Sequence, residues 1–187
     1  MSSKLKFSTL ATVALLLTGN HAHADEDFLS WLFDFSRAKE VKPIDNKTYE
    51  EECRDCHFAY QPGLLPAKSW DKLLNAKALH DHFGDNAEID ANTLKVIRDY
   101  AMDNAADKSY YKRSRKIAAT SAQDPTPLRI TELRYIKRKH REIPEKMIKG
   151  NSDVKSLSFC DKCHTQAAKG NYDNDTVSIP NYPDWDD

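Results

Sequence analysis

Short apolar repeats at helical spacing run through most of the chain, separated by prolines, glycines and capping residues. In residues 91–105, ANTLKVIRDYAMDNA, the residues Leu94, Ile97 and Ala101 recur at i, i+3 and i+7, one face of a helix, and Asp90 stands ready as its cap. Ser69 is the expected cap of SWDKLLNAKALH, whose apolar contacts come from Trp70, Leu73, Leu74 and Leu79. Thr48-x-x-Glu51 has the form of a capping box. Thr131 is placed to start TELRYIKRKHREI, and Pro144 suits the first turn of PEKMIK, with Gly150 as its stop. A further helix is expected to end at Gly170. Pro62-Gly63 and Pro66 break the chain, and no stretch alternates convincingly as a strand should. The pattern predicts a mainly α protein. Pro125 and Pro127 preclude a regular helix over 120–128, making that segment the expected joint between two small domains.

The N-terminus departs from this pattern. Lys4 and Lys6 precede an apolar run from about Leu10 to Leu17, followed by Ala22-His23-Ala24. This is the form of a secretory signal peptide, residues 1–24, with cleavage after Ala24. The run falls short of the roughly 20 residues that span a bilayer, and no later stretch is long and apolar enough. FLSWLFDF, residues 28–35, reads as a packing helix. The expected location is the periplasm, where cysteines are open to oxidation.

The 187 residues contain only four cysteines, Cys53, Cys56, Cys160 and Cys163, arranged as C-R-D-C-H and C-D-K-C-H. Disulfides place no demand on the following residue, yet histidine follows both pairs. A four-cysteine zinc ribbon keeps its two knuckles closer together and has no use for those histidines. Covalent haem uses every element: two thiols bond one edge of the porphyrin and the next residue places an imidazole under the iron. The expected cofactors are therefore two haem c groups, one on Cys53, Cys56 and His57, the other on Cys160, Cys163 and His164. They fall in an N-terminal haem domain, 25–122, and a C-terminal haem domain with an acidic tail, 123–187. With 30% charged residues and a mean hydropathy of −0.74, the chain is poor in core aliphatics. Each helical domain is expected to pack around its haem, which contributes to folding.

Each iron needs a sixth ligand. Outside the signal the spare candidates are His80, His82, His140, Met102 and Met147. His82 opens HFGDNA, where Gly84 permits a sharp turn. His80 would face the other way on a helix, and the methionines read as packing residues. Supply and demand leave His82 and His140 as the distal ligands, with the pairing to each haem open. Two imidazoles per iron leave no open position. That favours an electron carrier over the alternative, a small haem peroxidase or a reductase of nitrogen or sulfur oxides, which needs one.

ECRDCHFAYQPGLLPAKSW, HFGDNAEID, RITELRYIKRKHREIP and CDKCHTQAAKG, in that order, resemble the soluble dihaem cytochrome c family. The resemblance implies a two-domain helical electron carrier with bis-histidine haems, its distal ligands falling on His82 and His140. It also implies partners of two kinds, a small oxygen-binding monohaem cytochrome and membrane b-type cytochromes.

The formal net charge of −1 conceals an asymmetry. Lys108–Lys149 holds thirteen Lys or Arg against four Asp or Glu, whereas Asn171–Asp187 holds five Asp and no base. Such a basic segment can neutralise haem propionates or steer an acidic redox partner. Nucleic acid is not an expected partner, nor is a membrane anchor expected after signal cleavage.

Overall fold

The computed structural model describes residues 40–123 and 126–185. The expected signal peptide and the expected helix at 28–35 lie outside the described residues. Within them the protein is mainly helical. Helix α1 spans Lys47–Arg54, α2 Ala67–Leu73, α3 Ala76–His80, α4 Ala91–Asp103, α5 Lys112–Ser121, α6 Arg134–Lys139 and α7 Cys160–Cys163. Short 3-10 turns join several of them, and the described residues contain isolated β-bridges but no strand.

Asp90 caps α4 as its position predicts, accepting from the backbone N–H of Asn92 and Thr93 at 2.9 and 3.1 Å. Two other caps differ from expectation. Helix α1 starts earlier than a Thr48 box requires, because the Asn46 side chain accepts from the Tyr49 N–H at 2.9 Å. Helix α2 begins directly after Pro66, so Ser69 lies inside it and is buried. Its first N–H, that of Ala67, is satisfied instead by Asp107 at 2.7 Å. Thr131 sits in a 3-10 turn, Ile130–Glu132, and α6 starts only at Arg134. After Pro144 the chain makes a single 3-10 turn, Glu145–Met147, in place of a helix running to Gly150. The second cysteine motif occupies one helical turn. Gly170, at φ +72, caps a separate 3-10 turn rather than a continuous helix.

Helix α4 packs on α1 and α2, and α5 packs on α6. One hydrophobic core includes Tyr49, Leu65, Trp70, Ile97, Ile117, Leu133, Ala167 and Tyr172, and so draws on both segments expected to form separate domains. Buried polar links join the same two segments. Gln61 donates from Nε2 to the Ala167 carbonyl at 2.7 Å and accepts from the Tyr172 hydroxyl at 2.5 Å. Val41 N–H bonds the Gly170 carbonyl at 3.1 Å, and the Tyr60 hydroxyl bonds the Ser158 carbonyl. Arg113 grips Glu40 bidentately at 2.9 and 3.0 Å and also donates to the Tyr172 carbonyl at 3.1 Å. With side chains only 17% and 13% exposed, Arg113 and Glu40 form an ion pair whose rupture costs about 3–5 kcal/mol.

Candidate metal centres

Helix α1 carries Cys53 in its last turn and ends before Cys56 and His57, which therefore sit on the turn that leaves it. His57 Nδ1 lies 2.7 Å from the Phe58 carbonyl. A carbonyl only accepts, so Nδ1 bears the proton and Nε2 keeps the lone pair. The ring lies 5.1 Å, centroid to centroid, from that of Tyr60, whose backbone is held by a 2.7 Å bond from the Tyr49 hydroxyl.

His82 faces His57 across this site. Their ring centroids are 6.3 Å apart and their planes differ by 22°. His82 is delivered by a tight turn in which its N–H bonds the Asp85 carbonyl at 2.8 Å. Phe83 and Gly84 both adopt positive φ, +60 and +104, a chain reversal for which glycine removes much of the strain. The guanidinium of Arg129 lies 3.9 Å from the Phe83 ring centroid, covering that turn. His80 is directed elsewhere, to Glu88 at 3.1 Å, with its side chain largely exposed.

The second site has the same components. Cys160 and Cys163 lie on α7, and His164 leaves it in an extended conformation. His140 caps the C-terminal end of α6 and its Nδ1 lies 2.9 Å from the Ile136 carbonyl. The His140 and His164 centroids are 6.0 Å apart, with planes at 76°. Cys160, Cys163, His164 and His140 all line one cleft, which encloses about 1320 Å³ of non-atom space including open solvent. Its apolar wall includes Tyr135, Ile143, Leu157 and Ile179, with Lys139 at the same cleft. Met147 is part of this wall, while Met102 packs partly buried against the core.

Both arrangements suit a metal held between imidazoles. With metal–imidazole bonds of about 2.0–2.1 Å on each side, plus the distance from each ring centre to its nitrogen, two imidazoles sharing one metal ion have centroids about 6 Å apart. Burial, reinforced by His57, lowers the His82 pKa. Burial, reinforced by His140 and Arg113, pulls His164 down to about 4. Both rings are therefore neutral and able to donate a lone pair near pH 7. Burial also pushes the Cys53 and Cys160 thiols up to about 12, as apolar surroundings should. None of the four cysteines forms a disulfide, and among the described residues no three His, Cys, Asp or Glu side chains converge as a metal-ion cage. A zinc site shared between the two cysteine pairs is thus absent from the described residues. The donor set at each site, two thiols and two opposed imidazoles, fits a haem c.

Tyr60, Gln61, Tyr172 and Arg113 were not singled out by the sequence pattern. The only local clue is Gln61, a polar residue within the otherwise apolar and aromatic FAYQPGLL.

Residues 49–172 match the family model for dihaem cytochrome c. The dihaem c-type cytochrome of Shewanella baltica OS155 shares 37% identity, with 76% of this chain and 99% of that one covered and a TM-score of 0.62. The dihaem cytochrome c of Rhodobacter sphaeroides shares 37% identity over 71% of this chain and 100% of that one, also with a TM-score of 0.62. No curated protein matches the chain. With most of its described residues matched by the family and two solved dihaem proteins aligned along essentially their full lengths, the chain belongs to the dihaem cytochrome c family and has two covalently bound haem c groups.

Proposed function

We propose that the protein is a periplasmic electron carrier, with His57 and His82 as axial ligands at one haem and His164 and His140 at the other. The observation that supports this is the pair of imidazole separations, 6.3 and 6.0 Å. Each places a second ring where a substrate would otherwise bind. Bound haem supplies a one-electron iron(III)/iron(II) couple. The chain does the rest. Its thiols would tether the porphyrin edge, and the carbonyls of Phe58 and Ile136 lie against Nδ1 of His57 and His140, which puts the lone pair of each ring on Nε2.

The partners in this reading are one-electron redox proteins, including a small monohaem cytochrome and a membrane b-type cytochrome. Among the described residues no helix is long and apolar enough to cross a membrane. The bases Lys137, Arg138 and Lys139 form the exposed last turn of α6, directly before His140, and Lys139 lines the second cleft. An acidic partner docking there would approach the second haem.

A turnover assay tests the proposal. The reduced protein should pass electrons to an acceptor cytochrome while showing no catalytic consumption of peroxide, nitrite or sulfite. Catalytic consumption of any of these would require an open iron position and would overturn the reading.

A further inference from the structure

The two sites contain the same residue types, but the chain holds their proximal histidines differently. His57 Nδ1 lies 2.7 Å from the Phe58 carbonyl. His164 Nδ1 is buried and has no hydrogen-bond partner among the described residues. The ring beside it is Tyr172, at a centroid distance of 5.2 Å and an angle of 66°, and the Tyr172 hydroxyl is committed to Gln61.

A carbonyl drawing on the Nδ1 proton makes the imidazole a stronger donor through Nε2, which favours the more highly charged ferric ion. His57 has that support and His164 lacks it. The distal rings do not reverse the difference. His140 Nδ1 lies 2.9 Å from the Ile136 carbonyl, and His82 is half-buried and so partly open to solvent, whereas the unpartnered Nδ1 of His164 is buried. Surroundings act in the same direction. The His164 site lies in an apolar cleft with Lys139 at its wall, which disfavours extra positive charge. Cys56 and Phe83 at the His57 site are exposed.

Resting on the ligand reading above, we propose that the His164 site is reduced at a higher potential than the His57 site. An electron from a one-electron donor then resides first at the second site. Each site takes one electron, iron(III) becoming iron(II).

The ring planes provide a way to read the two sites separately. Nearly parallel axial imidazoles, as at His57/His82 with 22°, split the iron d orbitals and give a rhombic low-spin resonance. Nearly perpendicular ones, as at His140/His164 with 76°, leave those orbitals almost degenerate and give a single low-field signal of large g.

The experiment is a potentiometric titration of the native holoprotein with dithionite, followed by low-temperature electron paramagnetic resonance. His140→Ala should remove the large-g signal and His82→Ala the rhombic one, which assigns each signal to its site. In the native protein the large-g signal should disappear first. The two reduction constants should differ by a factor of at least about ten, about 59 mV for one-electron couples. Loss of the rhombic signal first, or of both together, would overturn the inference while leaving the ligand reading intact. If neither alanine variant removes a low-spin signal, both the ligand reading and the inference fall. The cause has its own readout in the proton NMR spectrum of the reduced, diamagnetic protein. The Nδ1 proton of His57 should lie downfield of that of His164, and the opposite order would refute the hydrogen-bond explanation.

Discussion

Replacing Gln61 by leucine tests how the two cysteine-motif segments are joined. Gln61 is fully buried and touches both: its Nε2 donates to the Ala167 carbonyl and its Oε1 accepts from the Tyr172 hydroxyl. Leucine conserves volume but strands the Tyr172 hydroxyl in a dry interior, while the Ala167 carbonyl loses the amide and keeps its bond from the Gly170 N–H at 2.8 Å. The stranded hydroxyl costs about 1–3 kcal/mol and the lost bond to the carbonyl about 0.5–1.5 kcal/mol, so Gln61→Leu should destabilise the protein by about 2–4 kcal/mol. For a chain of this size each kcal/mol lowers Tm by about 2–4 °C, giving a drop of about 5–15 °C. Tyr172→Phe removes one hydroxyl and strands only Gln61 Oε1, so its cost should be smaller, about 1–2 kcal/mol. The double variant should cost less than the sum of the two, since the hydroxyl–amide bond is lost only once. Thermal unfolding of the holoprotein followed by far-ultraviolet circular dichroism measures all three. A Gln61→Leu variant within about 0.5 kcal/mol of the parent, the range of ordinary surface changes, would refute the buried link.

Other outcomes follow from the same structure. His82→Ala and His140→Ala should each open one haem to carbon monoxide on reduction, whereas His80→Ala, which removes only an exposed contact with Glu88, should open none. Gly170→Ala should cost at least about 2 kcal/mol on thermal unfolding, because φ is +72 and an added Cβ would clash with the Val41 carbonyl oxygen. Reversing charge with Lys137→Glu/Lys139→Glu should slow electron transfer to an acidic partner and flatten its salt dependence in stopped-flow, without changing either haem spectrum. The Debye length of ~8 Å at physiological salt sets the range of this steering, and unchanged salt slopes would exclude docking through α6.

The chemistry of this chain was legible because it is written locally. Cys-x-x-Cys-His is a contiguous unit, and the shortage of histidines points to His82 and His140 as candidate distal ligands, the roles proposed above. The structure brings His82 to His57 and His140 to His164, a pairing that sequence had left open. Gly84 marked the turn at His82 because positive φ has a residue signature. Asp90 was legible as a cap because its partners are two and three residues away. The start of α2 was not, since Ala67 is satisfied by Asp107, 40 residues further on. The helix drawn from Pro144 to Gly150 shrank to one 3-10 turn, where Met147 instead walls the second cleft. The joint at 120–128 has the composition of a linker, but composition carries no record of Gln61 reaching Ala167 and Tyr172 across it. The orphaned Nδ1 of His164 was equally invisible, because a missing partner depends on everything packed around it.

The most direct measurement is a carbon monoxide titration of the native, dithionite-reduced protein, with haem quantified in the same sample. Two haems per chain, each closed by two imidazoles, predict two haems and no carbon monoxide bound, with an absorption spectrum unchanged by the gas. Binding of one carbon monoxide per chain would show an open iron and contradict the paired-histidine sites.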